Sequence, residues 1–441
     1  MSENYGHGDL SWFKHDRFGM FIHYGLYSMP ARHEWIRSIE QYKDEDYHVF
    51  FKYFNPDLFE PQVWAKAARE AGMKYVVFTT KHHEGFCMWD TKYTDFKITN
   101  TPFGRDMLRE VVDAFRAEGI RIGFYYSLID WNHPDFTVDC FHPRKCEPKE
   151  VVDKLNEGRD MKRYQDYMIN QITELLTNYG RIDVMWFDFS YPENKFPDGR
   201  EGGGKGHKDW DSERIIKTVR SLQPHIIVDN RLDLPGSGDI LTPEQYTPTG
   251  NVLEDNRGDN TIGAWEGCQT FSGSWGYHRD EMTWKSDEQC IKMLIDHVSR
   301  DGNLLMNVGP TSRGYLDYRA MDRLSAYANW MRYNSRSIYG CGQAPAEFQE
   351  GEGYRLTYNK ETNRLYIHIY SWPYRMLHVK SLKDKVAFMQ LLHDGSELAY
   401  SSSEVPVCGG KITHKDDSIS IYLPVNKPEN MIVPVIEVML K

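Results

Sequence analysis

The stretch Arg181-Ile182-Asp183-Val184-Met185-Trp186-Phe187-Asp188-Phe189-Ser190 decides the fold of this chain. Residues 184–187 form a short apolar run that predicts a buried strand, and a helical pattern precedes it. Asp188 stands where that strand ends, which in an α/β barrel is the mouth that holds the chemistry. Asp188 is therefore a candidate nucleophile, although an isolated Asp in this position more often caps a helix or pairs with an arginine.

The same alternation of helix and strand continues on both sides of this stretch. Apolar runs predict further strands within 18–25, 74–80, 120–126, 224–228, 265–270 and 303–310. Helical spacing predicts helices over 61–71, 106–118, 161–179, 212–222, 287–300 and 318–334. Strands that alternate with helices are parallel, which leaves a closed barrel and an open doubly wound sheet as alternatives. Since no Gly-x-Gly-x-x-Gly turn follows the first strand, a dinucleotide-binding sheet is disfavoured.

We predict a (β/α)8-like barrel, of the TIM type or a distorted version of it, over residues 1–340. After residue 340 the pattern changes to alternating strands, at 354–358, 364–370 and 418–423, with turn residues between them. Such strands are typical of an antiparallel β-sandwich, which we place at residues 341–441.

Charge and hydropathy exclude some classes of partner. The formal net charge is -11, and no run of Lys or Arg is dense enough to hold a phosphate backbone, so nucleic acid is not an expected partner. No apolar stretch reaches membrane-spanning length. Residues 1–8 lack the pattern of a signal peptide, so we expect a cytoplasmic protein, although a trimmed signal would leave the same sequence. The seven cysteines are odd in number and lack a Cys-x-x-Cys pair, which favours free thiols.

Polar side chains lie at or just beyond the ends of several predicted strands. They are His23, His82, His83, Tyr126, Asp130, Asp188, Asn230, Arg231 and Asn307. Because the ends of parallel barrel strands meet at one mouth, these residues predict a lined pocket.

Three chemistries fit such a pocket. Metal-assisted hydrolysis is disfavoured because neighbours on a strand, such as His82 and His83, point to opposite sides, and because no His-x-His motif is present. We therefore expect neither a metal nor another cofactor. The second chemistry is glycosidic cleavage by two carboxylates, one attacking the anomeric carbon and one acting as acid and base. The third is a pocket that binds sugar without cleaving it.

Asp188 suits the role of the attacking carboxylate. The candidates for the acid/base residue are Glu244, Glu266, Glu254 and Glu34. Glu244 lies in a long irregular loop, from which a carboxyl can approach a bond from above, but it also reads as an ordinary helix-start residue after Pro243. Glu266 follows Trp265 within a predicted strand and fits a buried supporting residue equally well.

Seven motifs together resemble the α-L-fucosidases of glycoside hydrolase family 29. They are FGMFIHYG at 18–25, EW at 34–35, KHHEGF at 81–86, YYS at 125–127, WFD at 186–188, SWGY at 274–277 and GNLLMNVGP at 302–310. Their order agrees with the family, and the resemblance covers roughly residues 12–339. It implies an exo-acting, retaining hydrolase that removes terminal α-L-fucose from fucosylated glycans without a cofactor.

The resemblance also implies roles for individual residues. It places the nucleophile at Asp188 and the acid/base residue at Glu244, with Glu266 as the alternative. The implied substrate-binding residues are His23, Glu34, Trp35, His82, His83, Tyr126, Trp186, Arg231 and Trp275. A retaining glycosidase for a related, galactose-type sugar and a non-catalytic fucose-binding barrel remain alternatives. Neither the linkage preference nor the oligomeric state can be predicted from the sequence.

Overall fold

A computed structural model describes residues 5–250, 252–255, 261–407, 410–413 and 416–441. Its first part contains eight parallel strands. They are β1 (Phe18–Ile22), β2 (Tyr75–Lys81), β3 (Arg121–Ser127), β4 (Val184–Asp188), β5 (Ile227–Val228), β6 (Ile240–Leu241), β7 (Ala264–Thr270) and β8 (Asn303–Val308). Their order is β5-β4-β3-β2-β1-β8-β7-β6, and a parallel bridge between Asp229 and Ile240 joins the two ends of the sheet. The predicted barrel is confirmed, and the open sheet is wrong.

Helices surround the barrel. They are α1 (Leu10–Asp16), α2 (Ile36–Ile39), α3 (Asp44–Tyr53), α4 (Pro61–Glu70), α5 (Met107–Ala117), α6 (Lys149–Asn156), α7 (Met161–Asn178), α8 (His207–Trp210), α9 (Ser212–Leu222), α10 (Val252–Asp255), α11 (Asp287–Val298) and α12 (Tyr318–Asn334). Short 3-10 helices cover Leu26–Ser28, Ile98–Asn100 and Ser335–Ser337. Side-chain caps fix several helix starts: Asp106 accepts from the third residue of α5, and Ser286 forms a capping box on α11.

The barrel differs from the prediction mainly at its closing edge. The strand predicted at 224–228 contains only the two residues of β5, and β6 lies in a stretch predicted to be irregular. Glu254 belongs to α10, but its side chain lies outside the described residues.

Two hydrophobic layers fill the barrel domain. Phe21, Tyr75, Tyr125 and Trp186 belong to the layer inside the barrel. Phe124, Tyr126 and Phe187 belong to the layer between strands and helices. Successive side chains of a strand point to opposite faces, so this alternation decides which residues at the strand ends face the mouth.

The C-terminal part consists of antiparallel strands. They are β9 (Gly342–Gln343), β10 (Tyr354–Asn359), β11 (Arg364–Ile369), β12 (Met376–Val379), β13 (Val386–Leu391), β14 (Tyr400–Ser401), β15 (Glu404–Val407), β16 (Gly410–Thr413), β17 (Ile419–Tyr422) and β18 (Val435–Leu440). One sheet has the order β13-β18-β11-β10-β9 and a second has the order β12-β17-β14, while β15 and β16 form a hairpin. Leu356, Ile367, Leu377 and Ile421 share one core between the two larger sheets, which confirms the predicted sandwich. The domain boundary at residue 340 stays a prediction.

Two further observations concern the described residues. None of their helices combines the length and the apolar character needed to cross a membrane. Six of the seven cysteines are free thiols, including Cys140 and Cys146, whereas Cys408 lies outside the described residues.

Candidate active site

Asp188 lies at the mouth of the barrel, at the last position of β4, and its side chain is 9% exposed. Its Oδ1 atom is 2.8 Å from Nη1 of Arg231, and its Oδ2 atom accepts a 2.7 Å hydrogen bond from the Tyr125 hydroxyl. Nε2 of His83 lies 3.9 Å from the same Oδ2 atom. The carboxylate is thus held in one orientation by two donors, Arg231 and Tyr125, which come from two different strand ends.

The environment of Asp188 sets its charge. Burial raises the pKa of the Asp188 carboxyl, and the Arg231 guanidinium opposes this rise. The nearby Glu244 charge raises the pKa further, whereas the Tyr125 hydroxyl lowers it. Ionisation of this buried group therefore depends on Arg231 and Tyr125.

Arg231 connects Asp188 to a second carboxylate. Its Nη2 atom is 2.7 Å from Oε2 of Glu244, while Nη1 holds Asp188. Nε of Arg231 donates to Oγ1 of Thr242 at 3.0 Å, and the guanidinium carbon lies 4.3 Å from the ring centre of Trp186. One guanidinium thus brings the two carboxylates together, and the Glu244 side chain is 40% exposed.

Three buried histidines form one side of the mouth. Nδ1 of His23 is 2.7 Å from Oδ1 of Asn307, and Nδ1 of His83 is 2.6 Å from Oγ of Ser127. The rings of His82 and His83 lie only 4.0 Å apart, so the expectation that they point to opposite sides is wrong. The reason is that β2 ends at Lys81, and the alternation of a strand does not extend to the two residues after it.

The three imidazoles are neutral. Burial lowers the pKa of His23 to about 3 and holds the pKa values of His82 and His83 well below their usual range. A neutral imidazole offers one donor and one acceptor, and Nδ1 of His82 is buried with no hydrogen-bond partner among the residues that the structure describes. No group of three or more His, Cys, Asp or Glu side chains suited to a metal occurs within the described residues.

Aromatic rings form the walls beside these groups. The ring centre of Trp275 lies 5.1 Å from that of His23. Across the mouth, Trp35 packs 4.7 Å from His83 and 5.4 Å from Phe189, between ring centres. Glu34 lies behind Trp275, where its Oε2 accepts from the backbone N–H of Gly276 at 2.8 Å. Burial raises the pKa of Glu34 to about 6.

Tyr126, a predicted substrate-binding residue, faces away from the mouth. Its hydroxyl donates to Oε1 of Gln171 on α7 at 2.8 Å, and Lys81 lies over its ring at 4.3 Å. Tyr125 takes its place beside Asp188, because side chains alternate along β3. The sequence reasoning missed Tyr125, although its register with Trp186 on the neighbouring strand pairs the two inward positions.

The two adjacent tyrosines offer a matched pair of variants. We expect Tyr125→Phe to lower kcat/KM about tenfold, because a hydrogen bond to a charged group contributes about 1.5–3 kcal/mol. Its acidic limb in the pH profile of kcat/KM should move to higher pH, since the carboxylate loses a donor that favours its charged form. Tyr126→Phe should leave both quantities unchanged. Equal effects of the two variants would contradict the assignment of Tyr125.

Glu266 occupies the barrel interior rather than the mouth. It is fully buried, accepts from the Tyr75 hydroxyl, and accepts from Nε1 of Trp186 at 3.3 Å. Trp186 in turn packs against Arg231 on its other side. The structure thus places Glu266 beneath the floor that Trp186 forms and Glu244 beside Arg231, while the choice between them as acid/base residue stays a prediction.

The buried carboxyl of Glu266 predicts a pH dependence of stability. Burial raises its pKa from 4.5 to about 7, so the folded state binds a proton more tightly than the unfolded state. The contribution to the free energy of unfolding is full below pH 4.5 and is lost as pH rises through 7, and it amounts to at most about 3 kcal/mol. We expect the fall in Tm between pH 5 and 7.5 to be smaller in Glu266→Gln than in the wild type. An unchanged Tm profile would contradict the raised pKa.

A cavity of about 510 Å³ opens beyond Arg231. Its walls include Phe189, Asn230, Asp233, Leu241 and Tyr246. Since Arg231, Thr242 and Pro243 also line it, the cavity lies beside the Asp188–Arg231–Glu244 group. The site therefore contains open space next to the side chains that surround Asp188.

The chain is similar in sequence and in fold to known α-L-fucosidases. Residues 7–336 match the family model described as alpha-L-fucosidase. The human plasma alpha-L-fucosidase is 29% identical over 362 residues, which cover 75% of this chain and 69% of that protein. The structure of alpha-L-fucosidase isoenzyme 1 from Paenibacillus thiaminolyticus is 40% identical, with 98% of each chain covered and a TM-score of 0.86.

A second solved structure agrees over the whole chain. It is an alpha-L-fucosidase of family 29 from Bacteroides thetaiotaomicron, trapped as a covalent intermediate, and it is 26% identical with a TM-score of 0.81 and full coverage of both chains. The barrel, the sandwich and the matched family model thus all indicate the same family. The chain belongs to the α-L-fucosidases of glycoside hydrolase family 29.

Proposed function

We propose that this protein removes terminal α-L-fucose from fucosylated glycans with net retention of the anomeric configuration. The observation that carries the proposal is the contact of one guanidinium, that of Arg231, with both Asp188 and Glu244. Retaining glycosidases need two carboxyls about 5–5.5 Å apart, and two carboxylates bound to one guanidinium are near neighbours.

In the first step, a carboxylate oxygen of Asp188 attacks the anomeric carbon. The bond from that carbon to the leaving oxygen breaks, and the protonated Glu244 gives its proton to that oxygen. The product is an ester between Asp188 and fucose with inverted configuration. In the second step, Glu244 takes a proton from water, the resulting hydroxide oxygen attacks the anomeric carbon, and Asp188 leaves as a carboxylate.

The surroundings of Asp188 support its role as nucleophile. Arg231 and the Tyr125 hydroxyl hold the two carboxylate oxygens, and they counter the effect of burial on its charge. Glu244 differs from Asp188 in its larger exposure, which suits a group that must reach a leaving oxygen and afterwards a water molecule. The two carboxyls thus have environments that fit two different roles.

The remaining residues suit a 6-deoxy sugar. The neutral His23 and His83 each use Nδ1 on a protein partner and leave Nε2 for a sugar hydroxyl, while Nδ1 of His82 is also open to one. Trp275 can cover the methyl group, which needs no hydrogen-bond partner. We propose as substrate-binding residues His23, Glu34, Trp35, His82, His83, Trp186, Arg231 and Trp275, with Tyr125 in place of Tyr126.

The test is hydrolysis of an aryl α-L-fucoside beside aryl galactosides, with and without EDTA. We expect release from the fucoside alone, insensitive to EDTA, and proton NMR should show the α anomer of fucose as the first product. A β anomer as first product would contradict the two-step mechanism. Faster release from a galactoside would instead favour the galactose-type alternative, because an apolar pocket rejects one added hydroxyl only weakly.

A further inference from the structure

A third carboxyl, that of Asp229, lies directly behind the Asp188–Arg231 ion pair. Asp229 follows β5 and is fully buried. Its Oδ1 atom accepts the backbone N–H of Phe187 at 3.1 Å. Its Oδ2 atom has no partner in the described part of the chain.

The amide that Asp229 binds belongs to the residue that places the nucleophile. Phe187 directly precedes Asp188, and Arg231, two residues after Asp229, is the partner of Asp188. The contact of Asp229 with Phe187 therefore ties the end of β4, which carries Asp188, to the segment that carries Arg231.

The short length of β5 explains why a side chain, and not the backbone, binds the end of β4. The ladder between β4 and β5 contains only the pairs Val184–Ile227 and Met185–Val228. Beyond it, the N–H of Phe187 has no backbone acceptor on β5 and binds the carboxyl of Asp229 instead. An unpaired buried amide would cost about 1–3 kcal/mol, so this contact fixes the end of β4.

The chain turns away from the strand immediately after Asp188. Phe189 has a φ of 86°, in the left-handed region that a residue with a side chain rarely adopts. On the β3 side the Asp188 carbonyl accepts the backbone N–H of Leu128 at 2.9 Å. On the β5 side the restraint comes from the contact of Phe187 with Asp229.

The charge state of Asp229 fits this role. Burial raises the pKa of its carboxyl well above the usual range, Arg231 opposes the rise, and Asp188 adds to it. A neutral carboxyl does not compete with Asp188 for the positive charge of Arg231. Its carbonyl oxygen still accepts the hydrogen bond from the backbone amide of Phe187.

We infer that Asp229 is a positioning residue that accepts the N–H of Phe187 and so holds Asp188 in register with Arg231 across the gap between β4 and β5. This inference rests on the proposed function of Asp188. It predicts that the acceptor atom of Asp229 matters for turnover and that its negative charge does not.

Two variants at this position separate the acceptor from the charge. Asp229→Asn keeps an oxygen that can accept the Phe187 amide and should keep kcat close to the wild-type value. Asp229→Ala removes the acceptor, and we expect a loss of about 10²-fold in kcat, the effect of a misplacement of about 1 Å. In Asp229→Ala the acidic limb of kcat/KM should also move to higher pH, because Arg231 is no longer held against Asp188.

Asp239 offers a matched control at the same edge of the barrel. This buried carboxylate binds the N–H of Val228 at 2.8 Å and pairs with Arg220 at 2.7 Å. Asp239→Asn should lower Tm without changing kcat or the pH profile, because Asp239 contacts neither Asp188 nor Arg231 in the described residues.

Each outcome of these measurements either supports or overturns the inference. An equal loss of kcat in Asp229→Asn and Asp229→Ala would show that the charge or the acid matters and would overturn it. A lowered Tm with unchanged kcat in Asp229→Ala would show a purely structural role and would also overturn it. Wild-type turnover of the aryl fucoside is measured in the same series, so that its absence would refute the proposed function rather than the role of Asp229.

Discussion

Replacement of Asp188 by alanine is expected to lower turnover of an aryl α-L-fucoside by at least about 10⁴-fold while the fold is retained. The loss corresponds to about 5.5 kcal/mol of transition-state stabilisation. The reason is that Asp188 supplies the attacking oxygen, while Glu244, the other carboxylate paired with Arg231, serves as acid and base, so the ester intermediate cannot form.

Azide should partly restore activity to Asp188→Ala. A small anion can enter the space that the carboxylate leaves, beside Arg231 and Tyr125, and attack the anomeric carbon from the same side. One displacement then gives β-L-fucosyl azide, with inverted configuration. Product analysis by NMR distinguishes this compound from the α anomer.

Asp183 provides the control for this variant. It lies just before β4, at the opposite end from Asp188, and its carboxylate binds the N–H of Ile122 and Arg181. Asp183→Ala should affect Tm and leave kcat unchanged. Residual activity of more than about one hundredth of the wild-type value in a folded Asp188→Ala protein would contradict its role as nucleophile.

The sequence predicts where the strands end better than it predicts which side chains of a strand face the mouth of the barrel. His23, His82 and Asp188 follow apolar runs whose ends are visible in the sequence, and the structure brings them to one mouth. The error at Tyr126 arises because Phe124-Tyr125-Tyr126 is aromatic throughout. A strand that is buried on both faces has no polar side to mark its register.

The contact between Arg231 and Glu244 could not be predicted from the sequence, for a different reason. The two residues are separated by the two-residue strand β6 and by a stretch rich in Gly, Pro and Asp. Glu244 is placed by a bridge between its backbone and that of Cys268 on β7. A position set by one distant backbone pairing leaves no periodic signal in the sequence.

The same argument applies to Glu266, a buried carboxyl of the barrel interior. Glu266 lies within a clear strand, which made a catalytic and a supporting role equally plausible. Only its contacts with Tyr75 and Trp186 show that it faces the barrel interior. Burial of a carboxyl depends on tertiary packing that local patterns do not record.

Glu244→Ala is expected to lower kcat/KM by about 10²–10⁴-fold on fucosides with poor leaving groups. Such substrates need a proton on the leaving oxygen in the first step. On aryl fucosides with acidic phenols the first step should remain fast, and the ester on Asp188 should accumulate because no base activates water. A burst of phenol followed by slow turnover is the measurement that shows this.

Azide distinguishes Glu244 from Asp188 by stereochemistry. In Glu244→Ala the nucleophile is intact, so azide attacks the accumulated ester from the side of the departed leaving group and gives α-L-fucosyl azide. In Asp188→Ala a single displacement gives the β anomer.

Glu266→Gln should give neither azide product, since Glu266 lies behind Trp186 and has no access to the mouth. If azide accelerated Glu266→Gln and left Glu244→Ala unaffected, the roles of the two glutamates would have to be exchanged, and Trp186 would have to move to let Glu266 reach the sugar.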